Sequence, residues 1–183
     1  PGYVIITTSS IDNDSNELGN FVTHQQGRGF DTQVVTESDY YDPNDPNDLP
    51  DQIRQWLKDN YISENIEYVL LIGNPDPGSS DPCDGNVPMK MLWPRNAAPS
   101  DREAPSDYYY ADLTGNWDLD GDDYYGEWGD DFGVGGVDRY YEVLVVRIPY
   151  YGSINDLDSI LQRIINYQDA NSLDWRRDAL LAM

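Results

Sequence analysis

The sequence is poor in the side chains that most often do chemistry and in positive charge. Its 183 residues include one cysteine, one histidine and two lysines. A single cysteine excludes an intramolecular disulfide, and with it the small disulfide-rich folds. The sequence also lacks an apolar run long enough to cross a membrane, and it lacks a basic start followed by a hydrophobic signal core. We therefore expect no membrane insertion.

Positive charge is too scarce to favour a nucleic-acid partner. The chain carries 34 Asp and Glu residues against 11 Lys and Arg residues, which gives a formal net charge of -23 at pH 7. Such a field repels phosphate backbones, so we expect no nucleic acid among the partners. Acidic chains in which Asp outnumbers Glu occur among calcium-rich extracellular proteins and among salt-adapted ones. The composition does not separate these two origins.

Apolar and aromatic residues are abundant enough for a packed core. Hydrophobic residues make up 39% of the chain and aromatic residues 13%, and a chain of this length fits one domain of ordinary size. Four runs of β-branched and apolar residues predict strands that are buried on both faces, as in a parallel sheet. These runs are residues 3–8, 32–36, 67–73 and 140–148.

Helical patterns separate the predicted strands. Apolar residues recur at helical spacing after residue 18, after residue 53 and after Ser153, which stands at capping-box spacing from Asp156. Strands that alternate with helices imply right-handed crossovers and a mostly parallel sheet with helices on both sides. We therefore predict an α/β fold, specifically a three-layer α/β/α sandwich. Strand-like runs near 87–93 and 107–113 predict an inserted hairpin or meander, and residues 179–183 begin a further strand.

The most specific local feature is an acidic loop. Asp118, Asp120 and Asp122 alternate along the chain, and a tight loop turns such side chains toward one hard cation, for which calcium is the natural candidate. The loop differs from an EF-hand at two positions. Asp123 stands where the sharp-turn glycine is expected, and Gly129 stands where the bidentate Glu is expected.

Another carboxylate must replace the ligand that Gly129 cannot provide, and we expect it to be Glu127 or Asp130. Carboxylates this close together repel one another unless a cation neutralises part of their charge. The predicted calcium site, within an acidic insertion at 115–137, consists of Asp118, Asp120, Asp122, the backbone carbonyl of Tyr124, Glu127 and Asp130. The alternative is a solvated acidic loop in a chain that is acidic throughout.

The groups that could act in nucleophilic catalysis do not form a complete set. A cysteine nucleophile needs a thiolate and a nearby base, which is usually a histidine. His24 is predicted on the first helix among polar residues, whereas Cys83 follows Asp81 and Pro82 in a loop whose acidic residues would raise the pKa of the thiol. We interpret the two as an exposed helix histidine and an incidental loop cysteine, and we expect no catalytic residue in this chain.

Seven segments follow one another in an order that carries more information than any of them alone. They are residues 3–8, 21–35, 53–61, 68–73, 106–110, 141–147 and 161–167. Their order resembles that of the gingipain-type family of cysteine endopeptidases, and the resemblance spans nearly the whole chain. The acidic insertion is a departure, because it replaces a short connection of the family.

The resemblance implies several properties that the residues alone do not. It implies a caspase-like, Rossmann-like subdomain, the first half of a catalytic region whose catalytic His and Cys lie downstream. Residues 1–183 would then be a single subdomain truncated before the catalytic one. The parent would be a secreted or cell-surface hydrolase that acts on protein or peptide substrates, and the downstream catalytic subdomain would be the partner that this chain supports.

A function of a different class also fits the sequence. Aromatic residues grouped beside acidic ones suit cationic or carbohydrate ligands, so the alternative is a calcium-stabilised extracellular binding or adhesion module. Its recognition surface would consist of Tyr108, Tyr109, Tyr110, Trp117, Tyr124, Tyr125 and Trp128. The simpler interpretation is that these aromatic rings pack over the sheet edge beneath the acidic loop.

Overall fold

The described part of the chain forms six strands and five α-helices. A computed structural model describes residues 1–45, 47–82, 85–94 and 103–170, so Cys83 and the predicted strand at 179–183 lie outside the described residues. The strands are β1 (Gly2–Ile6), β2 (Asp31–Val35), β3 (Ile66–Gly73), β4 (Lys90–Leu92), β5 (Ala104–Ser106) and β6 (Leu144–Pro149). The helices are α1 (Ser9–Asp14), α2 (Leu18–Gly27), α3 (Glu37–Tyr40), α4 (Leu49–Asn60) and α5 (Ile154–Asp169), with a 3₁₀ helix at Asp107–Tyr110. None of these helices is long and apolar enough to cross a membrane.

Four of the strands form one parallel sheet in the order β2-β1-β3-β6. Ile6 of β1 is in register with Val35 of β2 and with Leu71 of β3, and Leu71 is in register with Arg147 of β6. Because neighbouring strands of this sheet run parallel, each connection has to cross a face of the sheet. The separate hairpin of β4 and β5 is antiparallel. The predicted α/β fold with a mostly parallel sheet and a hairpin insertion is therefore confirmed.

Helices cover both faces of the sheet. On one face, Val4 of β1 belongs to the same buried cluster as Ile53 of α4. On the other face, Ile5 belongs to a second cluster that includes Phe21 of α2 and Leu161 of α5. Because successive side chains of a strand point to opposite faces, the β-branched run of β1 supplies both clusters. The three-layer arrangement predicted from the sequence is confirmed.

Two short helices and one strand boundary differ from the prediction. The helices α1 and α3 have six and four residues, which is too few to show helical periodicity in a sequence. The start of α3 is fixed by Asp39, whose carboxylate accepts a hydrogen bond from the backbone N of Thr36 at 2.9 Å. The strand predicted from residue 140 begins only at Leu144, since the backbone N of Glu142 donates to the carbonyl of Ala111 at 2.9 Å.

The strand predicted at 107–113 is wrong. That segment forms the 3₁₀ helix Asp107–Tyr110, and the second hairpin strand is Ala104–Ser106. The helical turn buries the neighbours Tyr109 and Tyr110 in one core. A strand would have sent two successive rings to opposite faces, so packing of both rings outweighed the β propensity of tyrosine.

Arg147 of β6 connects the sheet to the hairpin region. Its side chain is 6% exposed, and its Nε and Nη2 donate to the two carboxylate oxygens of Asp107 at 2.7 and 2.6 Å. Its Nη1 donates to the carbonyl of Val87 at 2.6 Å and to that of Gly73 at 3.4 Å. One guanidinium therefore joins β6, the end of β3, the segment before β4 and the start of the 3₁₀ helix.

Replacing Arg147 with alanine is expected to lower the free energy of unfolding by about 3 kcal/mol, because the Asp107 carboxylate then stays largely buried without its cation. The matched control is Arg163→Ala, since Arg163 is exposed on α5; its unfolding free energy should change by less than about 0.5 kcal/mol. Urea denaturation followed by tryptophan fluorescence measures both. Equal effects of the two substitutions would contradict this role of Arg147.

Candidate functional site

The acidic insertion packs on the α4 face of the sheet. Trp117 and Val137 near its two ends are buried in the cluster that also contains the core side chains of α4. Arg54 of α4 donates from Nε and Nη2 to the carbonyl of Asp112 at 3.1 and 2.7 Å, and from Nη2 to the carbonyl of Gly115 at 2.8 Å. The base of the insertion is thus tied to a helix that covers the sheet.

The carboxylates of the acidic loop form two groups that share Asp120. Carboxylate oxygens of Asp118, Asp120 and Asp131 all lie within 4.8 Å of one another. The same limit holds for oxygens of Asp120, Asp122 and Glu127. A calcium ion takes six to eight oxygen ligands at roughly 2.3–2.6 Å, so each group has the spacing that one ion could use.

Asp131 is the buried centre of the loop, and the sequence-based set of ligands omits it. The residue is fully buried, and its Oδ1 accepts a hydrogen bond from the backbone N of Leu119 at 2.6 Å. Its Oδ2 accepts one from the backbone N of Glu127 at 2.9 Å. The sequence shows that Asp130 and Asp131 are adjacent acidic residues. Nothing in the sequence shows which of the two turns inward.

Asp123 makes the sharp turn that a glycine makes in an EF-hand. Its φ is 70°, and the φ of Gly121, two residues earlier, is 79°. Asp tolerates this left-handed region better than most residues. The carboxylate of Asp118 stabilises the turn by accepting from the backbone N of Asp122 at 2.9 Å and of Asp123 at 3.3 Å. The departure from the EF-hand pattern at this position therefore leaves the turn intact.

Two residues of the predicted ligand set, Tyr124 and Asp130, contribute no carboxylate to either group. The backbone N of Tyr124 donates to Asp122 at 2.9 Å, and its ring centre lies 5.2 Å from that of Trp93. Its carbonyl stays a predicted ligand. The carboxylate of Asp130 belongs to neither of the two groups found among the described residues.

The grouped carboxylates raise one another's pKa. Desolvation, followed by the negative charge of Asp122, holds the pKa of Asp120 above its usual value. The pKa of Glu127 is raised by desolvation and then by the same charge. Asp130 and Asp131 add smaller contributions in the same direction. A bound cation would remove the cause of the electrostatic part of these shifts.

The buried Lys90 connects the acidic loop to the start of α4. Lys90 of β4 donates to the carboxylates of Asp48 and Asp51 at 2.9 Å each, and its Nζ lies 3.7 Å from the centre of the Tyr125 ring. The hydroxyl of Tyr109 also donates to Asp51. Burial raises the pKa of Asp51, with Lys90 acting in the opposite direction. The loop, α4 and the hairpin therefore share one ion cluster.

A cavity of about 370 Å³ lies between the start of α4 and the acidic loop. Its lining contains three carboxylates, from Asp48, Asp51 and Asp123, and one ammonium group, from Lys90. Trp93 adds an aromatic wall. The excess of negative charge makes this cavity more suitable for a cation than for an anion.

The aromatic residues around the loop divide into buried and exposed rings. Tyr109, Tyr110 and Trp117 are 3%, 0% and 3% exposed, whereas Tyr124 and Trp128 are 44% and 53% exposed. The interpretation that the aromatics pack beneath the loop therefore holds for the first three rings. They are not available as a recognition surface.

His24 lies near the amino ends of the parallel strands, whereas the described neighbours of Cys83 lie near the carboxyl ends. His24 is in the last turn of α2, which leads into the amino end of β2, and its Nε2 lies 3.0 Å from Oε1 of Gln168. Gly85 lies beyond the carboxyl end of β3, where its carbonyl accepts a hydrogen bond from the backbone N of Asn74 at 2.8 Å. The one histidine of the chain therefore lies away from the described residues that flank the cysteine.

Comparison with known proteins identifies the family. A model of Peptidase family C25 matches residues 1–183. The chain belongs to Peptidase family C25. No curated protein matches it. Among solved structures, it is similar to the complex of Porphyromonas gingivalis RgpB pro- and mature domains, with a TM-score of 0.60 and 22% sequence identity over 91% of this chain and 29% of that chain.

The C25 assignment confirms the gingipain-type family that the order of segments suggests. At 22% identity, the structural similarity establishes the fold alone. The chain spans 29% of the length of the solved chain that it matches.

Replacing Asp131 with alanine is expected to lower the free energy of unfolding by about 2 kcal/mol in the presence of a chelator, because two part-buried backbone N–H groups lose a charged acceptor. Asp130→Ala is the matched control, since Asp130 is exposed. It should change the unfolding free energy by less than about 0.5 kcal/mol. Chemical denaturation measures both variants, and an Asp131→Ala protein as stable as the control would refute the role assigned to this carboxylate.

Proposed function

We propose that the chain is the non-catalytic α/β subdomain of a gingipain-like cysteine endopeptidase. The observation that carries this proposal is a C25 match along all 183 residues in a chain with one His and one Cys. A cysteine nucleophile and its base must come within hydrogen-bond reach. His24 instead forms a hydrogen bond with Gln168 near the amino ends of the strands. The catalytic pair of the parent protein would therefore come from other residues.

In this proposal, the sheet and its covering helices support a downstream catalytic subdomain of the same polypeptide. The parent would be secreted or exposed at the cell surface and would cleave proteins or peptides. Membership in Peptidase family C25 supports the hydrolase class. A net charge of -23 also fits a protein that works where calcium is abundant, since the ion would offset part of that charge.

The isolated chain is expected to show no peptidase activity, because a cysteine nucleophile needs a base within reach and His24 lies far from the described residues that flank Cys83. The measurement is hydrolysis of fluorogenic peptides with basic, neutral and acidic residues before the cleaved bond, with and without a reducing agent. The full-length parent should cleave at least one of them in a thiol-dependent manner. Thiol-dependent cleavage by the isolated chain that disappears in Cys83→Ala would refute the non-catalytic assignment.

We also propose that the acidic loop binds calcium, with Asp120 shared between the two carboxylate groups. Three features support this proposal: the oxygens of each group lie within 4.8 Å of one another, the turn at Asp123 is preformed, and the pKa values of Asp120 and Glu127 are raised by neighbouring negative charge after desolvation. Oxygen ligands in a loop of this kind suit calcium better than magnesium, which demands tighter octahedral geometry.

Calcium at one hundred times its dissociation constant is expected to add about 2.7 kcal/mol to the free energy of unfolding if the unfolded chain does not bind it. Thermal melts with calcium, magnesium and a chelator measure the effect, which should be smaller with magnesium. Asp120→Asn should lose most of it. Asp12→Asn is the matched control, because Asp12 is exposed on α1. Equal melting in all three solutions would leave the loop as a solvated acidic flap.

The stabilisation by calcium should decrease as the pH falls. A protonated carboxyl does not bind calcium, and the pKa values of Asp120 and Glu127 lie above 3.8 and 4.5. Calcium stabilisation should therefore weaken as pH falls toward these raised values. In chelator the sign reverses: the two groups favour folding at low pH, and this contribution is lost as pH rises through their folded pKa values.

A further inference from the structure

The outer edge of β6 is not covered by the rest of the described chain. β6 stands at the end of the order β2-β1-β3-β6, and among the described strands it pairs with β3. An edge strand presents backbone N–H and C=O groups that can pair with another strand, and proteins usually protect such edges with charges or prolines. The one charged residue of β6, Arg147, turns inward to Asp107, and Pro149 stands only at the last position.

The described residues also leave part of one face of β6 uncovered. Leu144 and Val146 are 44% and 58% exposed, whereas Ile148 on the same face is 6% exposed. Ile148 belongs to the cluster that contains Leu157 of α5, so the helix layer covers the end of β6 but not its beginning. Strands of parallel sheets are normally covered on both faces. Together, the free edge and the bare apolar face indicate an interaction surface.

The strand that would follow α5 directly does not fit this edge. The connection from β1 to β2 crosses the sheet face that α2 covers, and the connection from β2 to β3 crosses the face that α4 covers. The two connections also run in opposite directions along the strand order. Both crossovers therefore have the same hand. α5 lies on the α2 face. A strand placed outside β6 immediately after α5 would give a crossover of the opposite hand, and about 98% of such crossovers are right-handed.

A second copy of the chain is also a poor occupant. Each copy carries a formal net charge of -23, so two copies brought edge to edge repel each other. A segment of the same polypeptide does not have to be brought from solution. The solved chain that this protein resembles is more than three times as long as the matched region, since the match covers 29% of it.

We infer that β6 accepts a strand from the catalytic subdomain, so that the sheet continues from one subdomain into the next. This inference rests on the proposed function above. The incoming segment is extended, offers free backbone groups to the edge and carries apolar side chains on the face of Leu144 and Val146. The register of that one strand pair would set the position of the catalytic subdomain relative to this one.

The test places a charge on the bare face in both the isolated chain and the full-length parent. Val146→Lys and Leu144→Lys should leave the melting temperature of the isolated chain unchanged, because both sites face water there. In the parent, Val146→Lys should lower the peptidase activity by about tenfold or more, since an unpaired charge in a packed interface is strongly unfavourable. Val134→Lys is the matched control, as Val134 is fully exposed on the acidic insertion, and it should behave like wild type.

Hydrogen exchange gives a readout that does not depend on activity. Backbone amides of β6 should exchange more slowly in the parent than in the isolated chain, because pairing protects them. Equal exchange in the two proteins, or a parent in which Val146→Lys acts like Val134→Lys, would overturn the inference. An isolated chain that dimerises through β6 would overturn it in favour of a second copy. A parent without thiol-dependent activity but with protected β6 amides would refute the proposed function and still support the strand pairing.

Discussion

The contact between Arg147 and Asp107 is the interaction on which the arrangement of the sheet and the insertion depends. The guanidinium uses Nε and Nη2 for the carboxylate and Nη1 for backbone carbonyls at the end of β3 and before β4. The two segments approach so closely that a Cβ on Gly73 would lie 2.5 Å from Cγ2 of Val87. A strand that ends on glycine therefore lets the chain return beside β3, and a buried cation then holds the returning segment in place.

Two clusters of carboxylates lie next to each other, and different groups offset the repulsion between the negative charges in each. Around α4, the ammonium of Lys90 lies within 2.9 Å of Asp48 and Asp51 and over the ring of Tyr125. In the acidic loop, no lysine or arginine lies within ion-pair distance of the grouped carboxylates among the described residues, and backbone N–H groups satisfy Asp131 instead. Because Tyr125 belongs to the loop and contacts Lys90, ordering of the loop by a cation would also fix one wall of the cavity beside α4.

The positions of these features suit a supporting subdomain. The helices α4 and α5 cover opposite faces of the sheet, and the ion clusters occupy the α4 face together with the insertion. Among the described strands, the outer edge of β6 has no partner. In the proposed function, the parallel sheet would hold a second subdomain in a fixed position without contributing a catalytic residue, which agrees with the position of His24 beside Gln168.

The sequence by itself determined the parallel sheet and its covering helices, because long β-branched runs and helical periodicity are strong local patterns, and the order of these segments indicated the family. It also placed the alternating aspartates in one loop. Tertiary structure alone decided that Asp107–Tyr110 forms a 3₁₀ helix, since two successive tyrosines enter one core. It likewise decided that Asp131 and not Asp130 faces inward, because which neighbour meets the N–H groups of Leu119 and Glu127 depends on how the loop closes on the body of the protein. The open edge of β6 has no local signature either, since a strand at an edge and a strand inside a parallel sheet can carry the same apolar run.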